Sequence, residues 1–156
     1  MYGQDFSDFF VTKLQANDFC GRISGISQQV YEAGFDLSAR LAAEFGVVKR
    51  DKLMMLLRED GDLTDNRSIQ KWLEKIISQT KLLPTVTLTV AFVPNDKNLK
   101  HISNWLLQNL NKQVLIEFNE DRSILAGARV NYNGKYSDQS VLTSYQKVLE
   151  KEIKAT

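Results

Sequence analysis

Few side chains in this sequence have the type and company needed for a reaction. The single histidine, His101, excludes a multi-histidine metal site. It falls on a helix-patterned run from Lys97 to Leu110, beside Lys100 and Ser103 and off the apolar stripe. No nucleophile or orienting acid stands next to it, so it reads as a solvent-facing residue rather than a general base. The single cysteine, Cys20, lies between Phe19 and Gly21 and reads as a buried structural thiol; it allows no internal disulfide and fits a reducing compartment. Glu59, Asp60, Asp62 and Asp65 form the densest acid cluster. A calcium loop of the EF-hand type needs acids at alternating positions, a glycine at the sixth and a closing glutamate. Here Gly61 follows Asp60 directly and no glutamate stands at the right distance. The cluster reads as a solvated turn with helix-capping acids. The phosphate-binding G-x-x-x-x-G-K-[ST], G-x-G-x-x-G and H-E-x-x-H patterns are absent. No metal, cofactor or catalytic residue is therefore expected.

The composition leads away from nucleic acid as well. Twenty basic residues nearly balance nineteen acidic ones, a net charge of +1, where a bulk nucleic-acid binder shows a basic excess. There is no KH-type G-x-x-G and no paired aromatics interleaved with Lys/Arg. The start, Met1-Tyr2-Gly3-Gln4-Asp5, has neither the basic nor the apolar region of a secretory signal. No run approaches the roughly eighteen apolar residues that span a bilayer. At 156 residues the chain is one large domain or two small ones.

The hydrophobic period divides the chain at Pro84. Residues 1–83 read as an all-helical bundle. Phe6, Phe9, Phe10, Lys13 and Leu14 are spaced for a short first helix. Ile23, Ile26, Val30 and Ala33 continue the spacing, and Leu37, Leu41 and Phe45 repeat it up to Gly46, a natural residue just past a helix end. Leu53, Met54, Leu56 and Leu57 read as a short helix buried on several sides. Asp65 or Asn66 caps the most regular amphipathic helix, with Ile69, Trp72, Leu73, Ile76 and Ile77 on one face. Gly21 and Gly25 have the spacing of a helix packed closely on a neighbour, with a plain loop as the rival.

Residues 84–156 read as a small α/β domain, so the class is α+β. Val86, Leu88, Val90 and Phe92 alternate with Thr85, Thr87, Thr89 and Ala91 as a half-buried strand ended by Pro94. Asn95 or Asp96 caps a helix bearing Leu99, Ile102, Leu106 and Leu110, and Gln113 to Asn119 forms the next strand. Asn133-Gly134 supplies the positive φ angles of a type I′ hairpin turn. Asp138 stands where an N-cap belongs, ahead of a last helix with Val141, Leu142, Tyr145, Val148, Leu149 and Ile153. The order is β-α-β-β-α, or β-α-β-β-β-α if both hairpin arms count.

The stretch Leu125-Ala126-Gly127, a hairpin, then Asp138-Gln139-Ser140-Val141 resembles the delta subunit of F-type ATP synthase, the family of the mitochondrial oligomycin-sensitivity-conferring protein. The match is at Gly127, Asp138, Ser140 and Val141; Ala126 stands where the family has a first glycine. The likeness covers Thr85 to the end well, whereas the first 83 residues share only helical character and order. The family implies a non-catalytic peripheral-stalk subunit. Its helical domain binds N-terminal helices of the head's alpha subunits and its C-terminal domain binds the stalk b subunits, so that proton flow is coupled to ATP synthesis. It further implies a place at the cytoplasmic face of the membrane, reached only through the complex, with no homo-oligomer. On that reading the head-facing residues are Phe6, Phe9, Phe10, Trp72 and Ile76, and the stalk-facing ones Tyr145, Val148 and Ile153. For both sets the rival is plain core packing. Gly127, Asp138 and Ser140 are structural. The alternatives are a scaffold of an unrelated complex, or a KH-like nucleic-acid module.

Overall fold

The computed structural model describes residues 6–60, 65–124 and 126–138. The chain forms two compact units, Met1–Phe10 with Leu14–Leu83, and Val11–Lys13 with Pro84–Thr156.

The first unit is helical: α1 (Lys13–Gln29), α2 (Leu37–Phe45), α3 (Val47–Asp60) and α4 (Asn66–Lys81). The Asp36 carboxylate opens α2 by accepting from the Ser38 and Ala39 N–H groups. Gly46 closes it at φ 80°, a left-handed angle that glycine takes without a Cβ penalty. Asp65 opens α4 by accepting from the Ser68 N–H at 2.8 Å and the Ser68 hydroxyl at 3.0 Å. The core collects Phe19, Ile23, Ile26, Leu41, Leu53, Trp72, Leu73 and Ile76, all buried.

Two helical expectations need correction. Phe6 to Phe10 form a turn, with the Phe9 N–H donating to the Phe6 carbonyl at 2.9 Å, and α1 begins only at Lys13. Between them the β-branched Thr12 is extended and pairs parallel with Ile116. α3 is longer than expected and buries one narrow stripe, Leu53 and Leu57, while Met55 is exposed.

The second unit holds β1 (Thr85–Val90), α5 (Asp96–Leu110), β2 (Leu115–Glu120), β3 (Ala128–Tyr132) and β4 (Lys135–Asp138). The sheet order is β2-β1-β3-β4. β1 and β2 are parallel, joined by α5 as a crossover must join them; the other pairs are antiparallel. Val86 and Leu88 of β1 face Leu99 and Leu106 of α5, with Val114 and Ile116 completing the cluster. The opposite face alternates as the sequence requires, with Thr85, Thr87 and Thr89. The strand ends at Val90, before the expected Pro94, and leaves Phe92 exposed. Val11–Lys13 lies along the free edge of β2: the Ile116 N–H donates to the Val11 carbonyl at 3.0 Å and Lys13 pairs with Glu117 at 3.0 Å. That strap covers an edge that would otherwise offer unpaired backbone groups. Asn133 and Gly134 carry φ angles of 50° and 74° and make the hairpin between β3 and β4.

The expected last helix, with Ser140, Tyr145, Val148 and Ile153, lies outside the described residues.

Candidate functional site

The groups that could do chemistry are separated and quiet. His101 is exposed on α5. Cys20 is buried in the first unit, and burial pushes its thiol pKa up against the opposing pull of Thr80 and Lys81, so it stays protonated. Asp60 pairs with Lys75 at 2.7 Å, and Asp65 is used as a cap. Among the described residues no group of three His, Cys, Asp or Glu could hold a metal ion. No helix there is long and apolar enough to cross a membrane.

What the first unit does offer is a groove along α1. Its buried face is Ala16, Phe19, Cys20, Ile23 and Ile26. The opposite stripe, Leu14, Asp18, Gly21, Arg22 and Gly25, is exposed and recurs at helical spacing. One concavity of about 590 Å³ is lined by Phe9, Leu14, Phe19 and Phe45, with Asp18, Arg22, Glu44 and Lys49 among its polar residues. A second of about 400 Å³ continues past Gly21 and Gly25 to Gln29, against Arg40 and Ala43 of α2. The two share Asp18, Arg22 and Glu44. There Arg22 forms a crossbar, donating to the Asp18 carboxylate and to the Glu44 carbonyl, each at 2.9 Å.

The floor of this groove is unusual. A Cβ built at Gly21 or Gly25 meets nothing within 4 Å. Of the two readings of Gly21 and Gly25, the helix is present, and close packing on a neighbour is not made among the described residues. Glycine in an exposed helix interior costs about 1 kcal/mol relative to alanine. Two such positions, one helical turn apart, give up that stability for no contact among the described residues and leave a smooth strip open above α1.

The expected head-facing residues divide. Phe6 and Phe10 are 2% exposed and stack at 5.9 Å, with Phe10 a further 5.2 Å from Phe19. Trp72 and Ile76 are equally buried, at 3% and 0%. These four are core, as the amphipathic period of a small bundle demands, and a partner could reach them only by opening the unit. Phe9 is half-buried, 5.6 Å from Phe19, and reaches the groove. Leu14, Phe19 and Phe45 were missed. The signal for Leu14 was its place on the glycine side of α1, opposite Ile23.

In the second unit Gly127 has φ 87°, where a side chain would be strained. The helix that Asp138 is expected to cap lies outside the described residues. Asp138 itself is the last residue of β4, and the hairpin register sets it opposite Arg129. Its carboxylate accepts from Arg129 Nε at 3.2 Å, while Arg129 Nη1 donates to Asp121 at 3.1 Å. Asp138 holds the Arg129 pKa above its ordinary value. The Ser123 hydroxyl and N–H hold the Asp121 carboxyl below the usual range. This is a structural clasp joining the turn after β2 to the β3–β4 hairpin.

The sequence profile of the ATP synthase delta (OSCP) subunit family matches residues 41–151, from Leu41 in α2 past the end of β4. A search of curated proteins finds no match.

Proposed function

The chain belongs to the ATP synthase delta (OSCP) subunit family, a structural component of the peripheral stalk, and from that premise we propose that it joins the catalytic head to the stalk as a passive stator. The first unit takes an N-terminal helix of a head alpha subunit. The second takes the end of the stalk b subunits, so that the head is held against the turning rotor and proton flow drives ATP synthesis. On this reading the chain sits at the cytoplasmic face of the membrane and reaches the bilayer only through the complex.

The observation that carries the head-facing assignment is the α1 groove. An amphipathic helix laid in a groove needs apolar anchors, a polar rim and room for close approach. Phe9, Leu14 and Phe45 give the first, Asp18, Arg22, Glu44 and Lys49 the second, and Gly21 with Gly25 the third. The head-facing set thus becomes Phe9, Leu14, Gly21, Gly25 and Phe45, with Phe6, Phe10, Trp72 and Ile76 as the core behind it. For the stalk-facing side the candidate is the chain beyond Asp138, with Tyr145, Val148 and Ile153.

The test is binding of the full chain to a labelled peptide copying the alpha-subunit N-terminus of the same source. Saturable binding that Leu14→Asp abolishes supports the groove. Binding indifferent to Leu14→Asp removes the groove assignment. Failure of the tagged chain to co-purify with the membrane-bound ATP synthase removes the stator reading.

A further inference from the structure

The first helix opens on a residue of the wrong sign. α1 begins at Lys13, where the positive end of the helix dipole disfavours a cation. Its partner explains it: Lys13 Nζ lies 3.0 Å from Glu117 Oε1 on β2. Val11–Lys13 belongs to the second unit, although the chain on both sides of it, Met1–Phe10 and Leu14–Leu83, belongs to the first. This strap lies ahead of Leu41, where the family match begins.

The strap meets β2 at one rung. The Leu115 and Asp121 N–H groups turn toward β1 and donate to the Pro84 and Val90 carbonyls, each at 2.8 Å. Alternation along the strand therefore turns the N–H groups of Ile116, Phe118 and Glu120 to the outer edge. Ile116 donates to the Val11 carbonyl at 3.0 Å. The strap has no extended residue left for Phe118, because the chain turns helical at Lys13. Its fastenings are the bridge between Thr12 and Ile116 and an ion pair whose side chains are 47% and 42% exposed. An exposed pair is worth little, and a lone bridge has no neighbours on a ladder to support it. Such a contact opens locally while the sheet stays folded.

The residues at its two ends give the strap a use. Phe9 and Leu14 both line the α1 groove, and only residues 10–13 separate them. Phe10 is locked in the core, whereas Leu14 is 79% exposed and has little packing to hold it. The path of the strap then sets where Leu14 stands relative to Phe9.

We propose that the strap is a latch on the groove. Seated on β2, it holds Phe9 and Leu14 in position for a partner helix; released, it lets them part. The latch rests on the groove being the partner site. The seated and released states differ by the Ile116 bridge and the Lys13–Glu117 pair. Linkage makes the effect reciprocal: the factor that seating adds to affinity, a bound helix adds to seating.

The test uses the full chain and the labelled alpha-subunit peptide. Glu117→Lys sets two cations against each other across the strap, and Lys13→Glu two carboxylates; neither side chain lines the groove. Each should weaken peptide binding about fivefold, at the lower end of measured couplings. Each should also speed hydrogen exchange of the Ile116 N–H relative to that of Leu115, which faces β1. Lys13→Glu suits the helix dipole, so its loss of binding would not come from a weaker helix. Lys13→Glu combined with Glu117→Lys should restore both readouts. In the native chain the peptide should slow Ile116 exchange by a similar factor. Faster Ile116 exchange with unchanged peptide affinity overturns the latch and leaves the groove standing. So does a double variant that stays weak, or Ile116 exchange untouched by saturating peptide. A native chain that binds no peptide removes the groove reading itself, and the latch with it.

Discussion

Replacing Gly21 and Gly25 by alanine should stabilise the first unit and weaken its hold on a partner helix. Both glycines lie inside α1 on its exposed face, and neither added Cβ would meet an atom within 4 Å. The substitution therefore adds helix propensity with no clash, about 1 kcal/mol at each site and about 2 kcal/mol for the pair. For a unit of 60–100 residues that raises the melting midpoint by roughly 4–8 °C per kcal/mol. Trp72, buried in this unit, reports its unfolding in urea or on heating. Packed helices lie about 8–10 Å apart, the distance being set by the side chains between them. Two methyls lift a partner off the floor, and Gly25→Leu lifts it further. Affinity for the alpha-subunit peptide should fall stepwise from glycine to alanine to leucine, with the leucine variant weaker by at least about tenfold, or about 1.4 kcal/mol. Stability rising while binding falls is the signature, because a residue serving the core moves the two together. Loss of stability in the alanine pair would mean that the space over α1 is not open. Binding by Gly25→Leu equal to that of the native chain would mean that the partner sits elsewhere.

Ile76→Ala should cost about 2–5 kcal/mol in urea unfolding, as deletion of a fully buried side chain does, whereas Leu14→Asp should stay within about 0.5 kcal/mol and lose only peptide binding. Asn95→Ala should cost about 1 kcal/mol, because the Asn95 side chain accepts from the Asn98 N–H at 3.0 Å at the start of α5; no change in the unfolding midpoint would refute the cap. The Ser68 N–H and hydroxyl hold Asp65 below the usual carboxylate range, as those of Ser123 hold Asp121, so the folded chain binds these two protons more weakly than the unfolded chain. Their stabilisation is complete above the unfolded pKa near about 4 and is lost as pH falls through the lower folded values. Asp65→Asn with Asp121→Asn should therefore flatten the fall of the urea midpoint below about pH 4, and an unchanged acid slope would remove both assignments.

The second unit was legible where local rules act alone. Asn133-Gly134 made its hairpin because few other pairs take two positive φ angles, and Asn95 capped α5 because the apolar period began just after it. Asp138 reads as a cap because an acid ahead of a helical period is the mark of one, and a second role for it was not legible. The pairing that claims it comes from Arg129, which is brought opposite only when β3 and β4 fold together. The first unit shows the same limit from the other side. Phe6, Phe9 and Phe10 have helical spacing, yet Val11 and Thr12 next to them are drawn into an edge pairing with Ile116, more than a hundred residues away in sequence, and a helix cannot run through that strap. Periodicity also separates buried from exposed faces without saying which exposed face is used. Trp72 and Ile76 drew attention by size and proved to be core. Gly21 and Gly25 have no side chain to register on an apolar pattern, and their meaning appears only once the space above them is found empty. An open strip of this kind is written in missing atoms, so a reading keyed to large apolar side chains passes over it.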